Sequence, residues 1–145
     1  MRQGITIAEV TDLAAPLAIR AEVFIGEQNV SLAEEVDGRD GDCLHWLVTD
    51  GEGPVATLRV LPKGDMAKIQ RVAVLRRARG TGLGLALMRH VMKALPARGF
   101  RRATLGAQIA AIGFYERLGF VARGPVYDDA GIPHRDMERD LEAAG

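Results

Sequence analysis

The sequence predicts an α/β fold: a mixed, mostly antiparallel sheet with a central parallel strand–helix–strand unit and helices on both faces. Three observations predict it. Residues 67–106 run strand, glycine-rich loop, helix, strand, an order that normally makes a right-handed parallel crossover. Strand-like runs at 44–50 and 54–62, joined by "GEG", read as an antiparallel hairpin, and the runs at 120–127 and 134–141 flank a second turn, "DDAGIP". Hydrophobic residues make up 48% of 145, enough for the core of one domain spanning 1–145.

The elements follow in order. "ITIAEV" (5–10) alternates loosely and carries β-branched residues, so it is the first strand. Thr11 and Asp12 are good N-caps for a helix over 11–28, in which Leu13, Leu17, Ala21, Phe24 and Ile25 keep helical spacing and Pro16 falls in the tolerant first turn. Residues 29–43 are polar and acidic, a loop with room for a short helix. The hairpin at 44–62 comes next, and "AKIQRVAVL" (67–75) is a third strand beside it. After the arginine–glycine loop, a helix runs from about Gly82 to Leu95, its buried face marked by Leu83, Leu87, Val91, Ala94 and Leu95. Residues 101–107 form a short strand, 108–119 a helix ended by Gly119 at C′, and 120–127 and 134–141 the last two strands.

Bulk composition narrows the function. Lys plus Arg and Asp plus Glu both total 19, which argues against a chain that coats nucleic acid or an anionic membrane. Cys43 is the one cysteine, so no internal disulfide forms, and neither it nor His45, His90 and His134 have metal-ligand spacing. No signal-peptide pattern opens the chain and no 18-residue apolar window occurs. A soluble, cytoplasmic protein without a nucleic-acid, membrane or metal partner is expected.

"RRARGTGLG" (76–84) puts three arginines and three glycines at a strand-to-helix junction. A helix start leaves N–H groups unpaired and partly positive, and glycine lets a ligand approach that backbone, so the junction suits a phosphate. The spacing is neither a P-loop, which needs Gly-Lys-Ser/Thr, nor a GxGxxG fingerprint, since position 85 is Leu85. Arg77-x-x-Gly80-x-Gly82 after "QRVAVL" resembles instead the pyrophosphate loop of the GCN5-related N-acetyltransferases (GNAT). A second segment, "AQIAAIGFYERLGF" (107–120), resembles the family's later motif, and "VFIGEQNV", "EEVDGRD" and "VYDDAGIPHRDM" are similar to its ElaA-type branch. Where many relatives carry asparagine seven residues before the tyrosine, this chain has Gln108.

The resemblance implies an N-acetyltransferase that moves an acetyl group from acetyl-coenzyme A to a primary amine by direct attack. It implies that Arg77, Arg79, Gly80, Thr81, Gly82, Leu83 and Gly84 hold the pyrophosphate. It implies that the edge of Val72, Ala73 and Val74 pairs with pantetheine, with Gln108 close by and the N–H of Val74 facing the oxyanion. It makes Tyr115 the general acid that protonates the leaving thiolate. The acidic loop would border the acceptor, and within it Glu34 or Glu35 is the candidate base. The acceptor is a small-molecule or peptide amine of unstated identity, and a homodimer stays open. A non-catalytic coenzyme A sensor of the same fold is the alternative, and Tyr115 argues against it because binding alone needs no hydroxyl there.

Overall fold

The computed structural model describes residues 4–142. Among the described residues seven strands form one sheet: β1 (Thr6–Val10), β2 (Leu44–Asp50), β3 (Gly53–Lys63), β4 (Met66–Val74), β5 (Arg102–Gln108), β6 (Val121–Asp129) and β7 (Ile132–Asp140). Their order is β1-β2-β3-β4-β5-β7-β6. Only β4 and β5 pair in parallel, and every other neighbour is antiparallel. The predicted sheet is therefore the observed one. Within the last hairpin, β7 lies against β5 and β6 takes the rim, an order the sequence reading left open.

Helices cover both faces. The first begins as α1 (Ala14–Arg20), continues as a π-helix over Ala21–Glu27, and is tied at its start by Asp12 Oδ1, which accepts the Ala14 N–H at 3.0 Å. Its buried face is Pro16, Ile19, Arg20 and Val23, not the stripe read from spacing, and Leu17 and Ala21 point outward. The reason lies in what the helix meets: Ile19 and Val23 pack on Ala73, and Arg20 enters a buried ion cluster. A short α2 (Leu32–Glu35) is fixed by a reciprocal cap between Ser31 and Glu34. On the other face, α3 (Leu83–Ala94) buries Leu83, Leu87, Met88, Val91 and Met92 against the sheet. On β4, Val72 and Val74 pack toward the α3 side while Ala73 and Leu75 pack toward α1, the period of two that a strand requires. The last helix is shorter than predicted: a 3-10 turn over Ile109–Ala111 leads into α4 (Ile112–Glu116), and Gly119 closes the turn at φ +87°.

The sheet is split at its centre. Parallel pairing of β4 and β5 runs only from Met66↔Arg102 to Ile69↔Leu105. Beyond that, the end of β5 stays with β7 (Gly106↔Asp136, Gln108↔His134) and the end of β4 stays with β3 (Ala73↔Thr57, Val74↔Ala56). Between Thr57↔Ala73 and Arg59↔Gln70, β4 carries one residue more than β3, and Arg71 in that bulge has φ +55°. A bulge bends and twists its strand, and here it turns β4 away from β5.

Candidate active site

A cleft of about 400 Å³ occupies the split. Gln70, Arg71, Val72 and Val74 of β4 form one wall and Gly106 and Gln108 of β5 the other. Tyr115 of α4 lines it, and Phe24 and Glu27 of the π-helix segment, with Gln28 just after it, lie across it. The β6–β7 hairpin closes the far end with Tyr127 and His134.

The wall offers main chain. Leu75 turns its N–H toward β3, donating to the Val55 carbonyl at 2.8 Å. Alternation along a strand then points the amide and carbonyl groups of Val74 and Val72 the other way, toward the space β5 has left, and those of Ala73 toward β3. The Val74 carbonyl accepts from Arg79 Nε at 3.0 Å, as that orientation demands.

At the end of β4 a 3-10 turn (Arg76–Ala78) leads to Gly80 at φ +74° and Gly82 at φ +83°, the N-cap of α3. Both need the left-handed backbone that glycine adopts without cost. The first helical bond of α3 is Ala86 N–H to the Gly82 carbonyl, and no side chain caps the helix, so the amides of Leu83, Gly84 and Leu85 face outward without a helical partner. The Thr81 hydroxyl donates to the Ala78 carbonyl and braces the turn. Gly84 has a different duty: a Cβ there would stand 3.3 Å from Val74 Cγ2, so its smallness lets α3 sit close on β4.

The arginines divide. Arg77 pairs with Asp50 at 2.9 Å and Glu52 at 3.3 Å on the β2–β3 turn, away from the cleft. Arg79 lines the cleft and pairs with Glu27 at 2.7 Å, joining the strand end to the helical roof. On the opposite wall Gln108 Nε2 donates to Gln28 Oε1 at 2.9 Å, a second link to that roof.

Tyr115 is 9% exposed and packs edge-on against Phe114 and Phe120. Burial pushes its phenol up to about 12. Glu34 and Glu35 both reach the cleft lining, but each carboxylate has work elsewhere. Glu34 accepts from the Ser31 hydroxyl at 2.9 Å in the α2 cap. Glu35, 2% exposed, accepts from Arg20 Nε at 2.6 Å.

The acidic loop is neutralised from within. Arg20 also holds Asp40 at 2.6 Å, and Arg59, wholly buried, holds Asp37 at 2.6 Å and Asp40 at 2.9 Å. Arg71 approaches Glu35 and Asp37 at 3.5 Å. Three arginines thus meet three carboxylates, and the loop is not the open acidic wall that its composition suggests. Bonds from Arg59 hold the Asp37 carboxyl well below the usual range. Burial opposes ionisation of Asp40, yet Arg20 and Arg59 outweigh it and lower that carboxyl too. The one sequence signal was Arg59 inside the apolar run "VATLRVL" and Arg20 inside an amphipathic helix. Burial pushes the Cys43 thiol up, which keeps it an ordinary thiol. Tyr127 and Gly106 were not singled out by sequence reasoning, since only tertiary pairing brings them to the cleft.

Among the described residues no helix is long and apolar enough to cross a membrane and no group of three metal-ligating side chains occurs. Residues 7–141 match the family described as "Acetyltransferase (GNAT) domain". An uncharacterized N-acetyltransferase of Bacillus subtilis, YjcF, is 38% identical over 84% of this chain and 88% of its own. Protein ElaA of Escherichia coli is 34% identical over 91% of this chain and 90% of its own, and its crystal structure superposes with a TM-score of 0.83 over 93% and 99%. An acyl-CoA N-acyltransferase from Pseudomonas aeruginosa, 35% identical, gives a TM-score of 0.81 over 93% and 97%. With sequence, sheet order and cleft in agreement, the chain belongs to the GNAT acetyltransferases, in their ElaA-like branch.

Proposed function

We propose that this acetyltransferase carries an acyl group, most simply acetyl, from coenzyme A to a primary amine by direct attack, with Tyr115 as the acid. The observation that carries the reading is the split sheet: an unpaired main-chain edge at Val72 and Val74 beside Tyr115, ending at an uncapped helix start. An extended pantetheine arm fits that edge as an added strand, and the pyrophosphate fits the amides of Leu83, Gly84 and Leu85. Arg79 stands nearest to add charge, after leaving Glu27; Arg77 contributes only if it leaves Asp50.

The outward N–H of Val74 or Val72 faces where negative charge grows on the thioester oxygen, and it is fixed before the reaction. Tyr115 stays protonated at neutral pH. Against a thiol of about 8.5, full transfer from a phenol near 12 would be uphill by roughly 5 kcal/mol. The same apolar surroundings also destabilise a thiolate, which narrows that gap. Tyr115 therefore acts first as a hydrogen-bond donor to sulfur and completes the transfer as the carbon–sulfur bond breaks.

Acetyl-coenzyme A should raise Tm by mass action, and amine panels containing alkylamines, polyamines and peptides should release free thiol. Tyr115→Phe should keep the Tm shift and lose turnover about 10²- to 10⁴-fold. No Tm shift at millimolar ligand, or unchanged turnover in the variant, would defeat the reading.

A further inference from the structure

Direct attack needs an uncharged amine, and the two carboxylates that sequence offered are engaged, Glu34 by Ser31 and Glu35 by Arg20. Glu27 is paired with Arg79. One group along the cleft is built differently. His134 is 9% exposed, and its Nδ1 lies 2.7 Å from the Ile132 carbonyl. A carbonyl only accepts, so Nδ1 carries the proton, and the neutral ring keeps its lone pair on Nε2.

The ring is also held in place. Tyr127 stacks on it with centroids 5.9 Å apart and planes 25° from parallel. The Tyr127 hydroxyl donates to Asp136 Oδ1 at 2.8 Å. Gly106 makes room, because a Cβ on it would lie within van der Waals overlap of that hydroxyl. Cross-strand pairing sets Gln108, His134 and Tyr127 in a row over β5, β7 and β6, on the side that lines the cleft.

We propose that His134 is the base of the transfer, with Tyr127 and Asp136 as its positioning residues. This rests on the acyl-transfer reading above. Nε2 takes a proton from the acceptor ammonium and passes it to solvent. The freed nitrogen pair forms the C–N bond, and the C–S bond breaks with its pair going to sulfur. Nitrogen sheds two protons in all: one reaches solvent through His134, and the second balances the one Tyr115 gives to sulfur. Asp129 also lines the cleft, but it sits at the exposed hairpin tip, without the stacking and hydrogen bond that hold the His134 ring.

The test separates a base from a structural residue by the charge of the acceptor. The whole chain is assayed with acetyl-coenzyme A and two sets of probes: benzylamine, spermidine and lysine peptides, cationic at neutral pH, and methoxyamine and aniline, neutral there. His134→Asn places an amide N–H where Nδ1 stands and removes Nε2; His134→Gln is the second variant should the first fail to fold. Expected are a loss of about a hundredfold or more in kcat/KM for the cationic probes, a change under about threefold for the neutral ones, and an unaltered Tm shift with acetyl-coenzyme A. Asp129→Asn should leave both sets as they are. Equal losses on the two sets, or the charge-dependent loss appearing in Asp129→Asn instead, would overturn the base and leave the transferase reading standing. A wild-type chain that binds acetyl-coenzyme A and transfers to none of the probes would overturn both.

Discussion

Arg20→Met tests the buried ion cluster beside the cleft. The substitution removes the 2.6 Å bond to Glu35 and the 2.6 Å bond to Asp40. Asp40 keeps Arg59 at 2.9 Å, but Glu35, 2% exposed, keeps only Arg71 at 3.5 Å. Stranding one charge of a buried pair costs about 3–5 kcal/mol. With an unfolding entropy of roughly 2.1 cal/mol/K per residue, one kcal/mol moves Tm of a 145-residue chain by about 3 °C, so the drop should be about 10–16 °C. The double variant Arg20→Met with Glu35→Leu removes both charges and fills the space with apolar atoms, and such exchanges are often neutral or stabilising. It should melt at least about 6 °C above the single variant in calorimetry. A double variant that melts at or below the single one would refute the desolvation argument, as would a single variant within about 3 °C of wild type, the behaviour of a solvated pair.

Two further outcomes follow from the charges around the cleft. Glu27→Gln frees Arg79 and removes a negative charge near the uncapped start of α3, where the proposed function seats the pyrophosphate, so calorimetric affinity for coenzyme A should tighten roughly two- to fivefold; weaker binding would mean that Glu27 itself positions the ligand. Asp37 is held below its unfolded value by Arg59, so the stability it adds is present above about pH 4 and is lost as pH falls toward its folded value. Asp37→Asn should lower stability at pH 7 by about 1–2 kcal/mol and flatten the acid limb of Tm against pH, while an acid limb of unchanged slope would place the titration elsewhere.

Local signals in the sequence were enough for much of the fold. Period-two runs, the glycine turns and the loop before α3 depend on neighbours a few residues away, and the strand–helix–strand unit over 67–106 followed from them. The placing of β7 rather than β6 beside β5 did not, because both strands read alike and only long-range pairing decides which one meets β5. The split of the sheet was also hidden. Its visible cause is a bulge at Arg71, a residue type with no special preference for φ +55°. At the site, the positive-φ positions Gly80 and Gly82 could be read because only glycine serves them well. The true partners of Arg77, Glu34 and Glu35 could not, since a charge run gives composition and not pairing. The buried face of α1 was misread for a related reason: burial of Arg20 is stabilised by carboxylates 15 and 20 residues away, and a hydrophobic stripe counts it as polar.

The gap between β4 and β5 has a consequence for the protein's behaviour in a crowded solution. Unpaired strand edges template aggregation, and proteins usually have to defend them at the rims of their sheets. Here an adhesive edge lies in the middle of seven strands, beneath a helical roof, with the Arg79 side chain resting on the Val74 carbonyl. A foreign strand cannot reach it sideways, whereas a thin, flexible chain can be threaded in from the end.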